Sequence, residues 1–125
     1  MDNALTPFIS LESVSKIFNG KTAVIEILKE TSFHIHKGET IAVVGASGIG
    51  KSTLLNIIGA LDKPDAGRVL FQGRDIFSLE DEKLAGFRNS QVGFVFQFHY
   101  LLQGFTAKEN IMIPGLIARM NKKKH

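Results

Sequence analysis

The sequence predicts an α/β fold in which short antiparallel strands lead into a buried strand, a glycine-rich loop and a helix. Three observations predict it. Ile41, Ala42, Val43 and Val44 are consecutive apolar residues, the pattern of a strand covered on both faces. Glycines follow at once, at positions 45, 48 and 50. Leu54, Leu55, Ile57, Ile58 and Leu61 then recur at helical spacing. At 125 residues the chain has the length of one ordinary domain and can bury a core.

Each element has its own local reason. Phe8 to Phe18 alternates apolar Ile9 and Leu11 with serines and Glu12, which predicts a half-exposed strand. Asn19-Gly20 is a hairpin-type dipeptide and predicts a turn. The next strand reads from Thr31 to His36, with Phe33 and Ile35 on one face and Ser32, His34 and His36 on the other. Lys37-Gly38-Glu39 then turns the chain into Thr40 to Gly45, predicted as a central strand of a sheet. The helix over Lys51 to Leu61 should pack its apolar stripe on that sheet and end at the breaker cluster from Asp62 to Gly67. Arg68 to Phe71 followed by Gln72-Gly73 reads as a short strand and turn. Ser78 and Asp81 resemble a capping box, so a helix is expected over Leu79 to Arg88. Val92 to Gln97 is strand-like again. Thr106 and Glu109 form a second capping signature, and Pro114 is expected to end or kink the helix that begins there.

Charge and composition narrow the function classes. The net charge of +3 invites a nucleic-acid reading, yet setting aside Lys122, Lys123 and Lys124 leaves twelve basic against twelve acidic side chains. The body of the chain is neutral, so no nucleic-acid partner is expected. The absence of cysteine excludes disulfides, thiolate metal sites and cysteine nucleophiles. No apolar run reaches the roughly 18 residues of a membrane span, and Asp2 stands where a signal peptide would carry basic residues. His34, His36 and His99 lack a carboxylate cluster and do not read as a metal site. The aromatic stretch from Phe94 to Tyr100 lacks the interleaved basic residues of a base-stacking platform.

One motif carries chemistry. Gly45-Ala46-Ser47-Gly48-Ile49-Gly50-Lys51-Ser52 satisfies the phosphate-loop pattern in full, and Thr53 completes its Gly-Lys-Ser-Thr end. The glycines let successive backbone N–H groups turn inward on phosphate oxygens, and the following helix adds its positive end. Lys51 can reach the outer phosphates as a point charge, Ser52 can offer its hydroxyl to a bridging magnesium ion, and Thr53 can meet the inner phosphate. A buried strand running into the loop and an amphipathic helix running out of it are the context this mechanism needs.

From about Ile9 to the terminal lysines, the sequence resembles the ATP-binding subunits of ABC transporters. The resemblance implies a P-loop NTPase fold with an ABC-type ATPase core, bound ATP and Mg2+, and ATP hydrolysis coupled to transport. It also implies roles outside the loop. Phe18 corresponds to the aromatic residue that stacks on adenine, where a polarisable ring face gives affinity without reading the base edge. Gln97 corresponds to the Q-loop glutamine, which contacts magnesium and senses the terminal phosphate. The residues from Phe98 to Phe105 correspond to the loop that meets a membrane-spanning permease subunit. Residues 1–97 would then be the phosphate-loop part of the core, and residues 98–125 the Q-loop and the start of a helical subdomain. Gly93 to Leu102 and Phe105 to Asn110 look most like the ATPase of lipoprotein-releasing transporters, while Leu61-Asp62-Lys63-Pro64 fits the broader macrolide-exporter group. Gln103 stands where many relatives carry a proline.

The resemblance also implies parts that this sequence does not contain: the Leu-Ser-Gly-Gly-Gln signature, the Walker B aspartate, its neighbouring catalytic glutamate and the switch histidine. The chain therefore reads as an incomplete core holding the ATP- and Mg-binding half. The implied setting is the cytoplasmic face of the inner membrane, peripheral through the permease, with a second ATPase subunit opposite. Two other readings are a catalytically inactive nucleotide-binding module or pseudogene remnant, and a DNA-repair or chromosome-organising ATPase of the same type.

Overall fold

The computed structural model describes residues 6–45, 48–96 and 101–123. These fall into two compact units that divide after Glu80. The first unit is built on a four-stranded sheet of order β2-β1-β3-β4, from β1 (Ile9–Asn19), β2 (Val24–Ile35), β3 (Ala66–Phe71) and β4 (Arg74–Asp75). All three pairings are antiparallel. Helix α1 (Ile49–Ile58) belongs to the same unit. The second unit contains α2 (Asp81–Gln91) and α3 (Ala107–Lys123).

β1 runs where its alternating pattern predicts. β2, in contrast, begins at Val24, seven residues ahead of the expected Thr31. The hairpin explains the extension: the Gly20 N–H donates to the Ala23 carbonyl at 2.9 Å, and Phe18 then pairs with Ile25 and Ile17 with Glu26. Once the turn brings Val24 beside Asn19, the ladder has partners to continue. At its far end β2 alternates as expected, with Thr31, Phe33 and Ile35 partly buried and Ser32 and His34 exposed. His34 Nδ1 is 2.8 Å from the Oγ of buried Ser10, its cross-strand partner. His36 Nδ1 is 2.8 Å from Glu39 Oε1 across the turn.

The core of this unit joins sheet to helix: Leu11, Val14, Leu28 and Val69 from the strands, Ile57 from α1, Ala60 just past its end, and Ile76. Only part of the α1 stripe is covered. Ile57 is buried and Leu54 and Ile58 partly so, while Leu55 and Leu61 are exposed. The turn after β3 forms as its residues predict, since Gln72 and Gly73 both have positive φ, 50° and 82°, the type I′ geometry that matches strand twist. Gly67, expected as a helix breaker, lies inside β3 instead.

Two predicted strands are absent. Thr40 to Gly45 carries no strand pairing and is exposed along its length, with Val44 at 85%. Val92 to Phe96 is likewise irregular, and Gln97 lies outside the described residues. The physical reason is the same for both. A strand exists through ladder bonds to a neighbour, and among the described residues neither segment has one. Phe94 and Phe96 stack on each other at 5.1 Å.

The helices of the second unit correct one expectation and bear out another. The Ser78–Asp81 box does not form: the Ser78 hydroxyl donates to the Asp75 carbonyl within a short 3-10 turn, Ile76–Ser78. α2 starts two residues later than expected, with Asp81 and Glu82 in its first turn, where acidic groups favour the helix dipole. Before α3, Thr106 and Glu109 do close their box. The Thr106 N–H donates to Glu109 Oε1 at 2.9 Å, and the Glu109 N–H donates to Thr106 Oγ1 at 3.1 Å. Pro114 does not end α3, which continues to Lys123. Its carbonyl accepts the Asn89 side-chain amide of α2 at 2.9 Å.

The hydrogen bonds from Thr106, backbone first and side chain second, hold the Glu109 carboxyl below its ordinary value of 4.5. A lowered folded-state pKa means that the cap contributes fully above the ordinary value and is lost as pH falls through the lowered one. An NMR titration of the Glu109 side chain should therefore give a midpoint below 4.5, moving upward in Thr106→Ala. A midpoint at the ordinary value in the unaltered chain would contradict the box.

Candidate nucleotide-binding site

The glycine-rich loop ends where α1 begins. Gly48 is the residue before the helix, and Ile49, Gly50, Lys51 and Ser52 make its first turn. The first N–H groups of any helix lack intrahelical acceptors. Among the described residues no side chain caps them, and the first turn holds no acidic residue. This helix start is open to an anion on both counts. A Cβ built at Gly45 or Gly48 would meet nothing within 4 Å, so space lies beside the loop backbone. Ala46 and Ser47 lie outside the described residues.

Lys51 folds back along the loop, its Nζ donating to the Gly45 carbonyl at 2.7 Å. The ammonium is thereby held at the mouth of the loop by one exposed hydrogen bond. Ser52 is exposed beside it, and Thr53 is partly buried one residue further on. The donors present, backbone amides, an ammonium and a hydroxyl, suit phosphate oxygens. The exposed Ser52 hydroxyl suits a magnesium ion held by those phosphates. Among the described residues no group of three or more acidic or histidine side chains could hold a metal ion without such a ligand.

Phe18 lies at the end of β1 and is 51% exposed, so it is not a core residue. The β1–β2 hairpin that carries it also lies against the start of α1 and the loop that follows α1. At the start of the helix, a Cβ on Gly50 would lie 3.8 Å from Ile27. After its end, the loop from Asp62 to Asp65 is fastened to Ser15, Lys16 and Ile17. Lys16 Nζ donates to Asp62 Oδ1 at 3.2 Å and to the Lys63 carbonyl at 2.8 Å. The Ile17 N–H donates to Asp65 Oδ2 at 2.7 Å, and the Asp65 N–H to the Ser15 carbonyl at 2.9 Å. These residues were legible only as a breaker cluster, because a carboxylate that ends a helix looks the same in sequence whether or not a distant lysine meets it.

The family model described as ABC transporter matches residues 28–125, a stretch that contains the whole loop, α1 and Gln97. The chain belongs to the ABC transporter family. Within the family it is similar to proteins named lipoprotein-releasing system ATP-binding protein LolD. It is 48% identical to that of Geobacter metallireducens over 118 residues, 94% of this chain and 52% of the relative. It is 41% identical to that of Shewanella denitrificans over 122 residues, 98% of this chain and 52% of the relative. The chain thus spans about half the length of the curated relatives it matches.

Solved family structures agree on the fold. The dimeric bacterial ABC transporter cassette MJ0796 superposes with a TM-score of 0.83 at 39% identity, covering 88% of this chain and 47% of that one. The post-hydrolysis state of the same cassette, bound to ADP and Pi, gives 0.82 at 38% identity with the same coverage. The ABC-type core that the family resemblance implied is therefore the fold of this chain, in an α/β arrangement that covers part of the cassette. No helix among the described residues is long and apolar enough to cross a membrane.

Proposed function

We propose that this chain carries the ATP- and Mg2+-binding half of an ABC transporter ATP-binding subunit of the lipoprotein-releasing type. The observation that carries the reading is the start of α1, which no described side chain caps, preceded in sequence by a complete phosphate-loop motif and with Lys51 bound to the Gly45 carbonyl. In this reading the backbone from Gly45 to Gly50 cradles the phosphates, including the amides of Ala46, Ser47, Gly48 and Ile49. Lys51 neutralises the outer phosphates, Ser52 and Gln97 hold the metal, and Thr53 meets the inner phosphate. Bound magnesium would supply charge neutralisation across the phosphates. Phe18 offers a ring face to adenine, and its exposure supports that role over packing.

Residues 1–97 act in this reading as the phosphate-loop part, and residues 98–125 as the Q-loop and the opening of the helical subdomain. The permease would be met from Phe98 to Phe105, where Leu101, Leu102 and Phe105 are exposed apolar side chains. Asn110 shapes the end of that segment, accepting the Leu102 N–H at 2.9 Å and donating to the Thr106 carbonyl at 2.8 Å. A second ATPase subunit would face the phosphate loop. The assembly would sit on the cytoplasmic face of the inner membrane, with ATP hydrolysis by the whole subunit driving lipoprotein release.

The test separates base from phosphate. Calorimetric titration of the chain with Mg-ATP and with Mg-tripolyphosphate should show both binding. Phe18→Ala should weaken Mg-ATP about tenfold, the order of one aromatic stack, and leave tripolyphosphate unchanged. Failure of the unaltered chain to bind either ligand would overturn the reading.

A further inference from the structure

Lys16 sits two residues before Phe18 on β1. The pairing irregularity beside it places the extra residue on β2, between Lys16↔Leu28 and Ile17↔Glu26, so β1 keeps its alternation there. Lys16 and Phe18 therefore share one face of the strand, together with buried Val14. The Lys16 side chain is only 20% exposed and reaches Asp62 Oδ1, the Lys63 carbonyl and, at 4.0 Å, Asp65 Oδ1. Two hydrogen bonds and one longer ion-pair contact thus tie this ammonium to one loop. That loop is the immediate continuation of α1, whose first turn lies at the other end of a ten-residue rod.

We propose that Lys16 is a positioning residue for nucleotide binding: by clamping the strand of Phe18 to the loop that follows α1, it fixes the spacing between the adenine platform and the phosphate loop. The proposal rests on the nucleotide reading above. Lys16 touches neither base nor phosphate in this scheme. Its effect passes through Phe18, because a ligand that must engage two sites at once gains only when their separation is set beforehand.

This mechanism differs measurably from ordinary stabilisation. Lys16→Met keeps the length of the stem and removes the charge and the donors. It should weaken Mg-ATP roughly threefold or more while leaving Mg-tripolyphosphate unchanged, since the latter uses the phosphate loop alone. In a Phe18→Ala background, Lys16→Met should have no further effect on Mg-ATP, because there is no platform left to position. Equal losses for both ligands, no loss for either, or an undiminished effect in the Phe18→Ala background would each overturn the proposal with the nucleotide reading intact. If Phe18→Ala itself leaves Mg-ATP affinity unchanged, or the unaltered chain binds neither ligand, the stacking reading fails and the positioning role with it.

Discussion

Lys51→Ala is expected to weaken Mg-ATP binding by about 10- to 100-fold, the largest loss of affinity from any single side chain of the site. The variant removes a charged donor to phosphate oxygens, worth about 1.5–3 kcal/mol. The ammonium is bound to the Gly45 carbonyl at 2.7 Å, so it need only exchange one acceptor for another when phosphate arrives. Little is lost elsewhere. That hydrogen bond is exposed, so the thermal midpoint of the variant should stay close to that of the unaltered chain. Lys51→Arg should not restore the affinity, because a planar fork cannot replace a compact charge inside a tight loop. Calorimetric titration with Mg-ATP checks the two affinities and a thermal melt the midpoint, and unchanged affinity in Lys51→Ala would remove the loop from the site.

The parts of the fold and of the site that were legible in the sequence are those encoded within a few residues. The helix after the glycine run, the Thr106–Glu109 box and the Gln72-Gly73 turn each depend on neighbours in the chain and each forms, although the helix spans Ile49–Ile58 and not the expected Lys51 to Leu61. Long-range pairing is where the reading fails. Ile41 to Val44 has the composition of a doubly covered strand, but composition states a requirement for partners and does not supply them. Among the described residues no strand pairs beside it, and the run is irregular and exposed. β2 errs in the opposite direction, because its first half is recruited by the hairpin turn and not by its own periodicity. The Lys16–Asp62 contact spans 46 residues and leaves no local trace.

Gly67→Ala is expected to be the most destabilising single-methyl addition in the first unit. Gly67 has a φ of +86°, in the left-handed region, and lies opposite the point where β1 bulges between Glu12 and Ser15. A Cβ there would fall 2.3 Å from the Ser13 carbonyl oxygen and 2.5 Å from that of Glu12. Both obstacles are backbone, so no rotamer change relieves them; the β1–β3 ladder itself must move. The backbone conformation costs about 1 kcal/mol and the overpacking about 1–3 kcal/mol more, a sum large against the stability of a small domain. Gly73→Ala provides the control. Its φ is similar, +82°, yet nothing lies within 4 Å of the added methyl, so it should cost only the conformational part, about 1 kcal/mol. Denaturant melts of the two variants should therefore differ by the steric contribution alone. Equal midpoints would mean that β1 yields freely at Ser13, and that the bulge does not set the register of β1 ahead of Lys16 and Phe18.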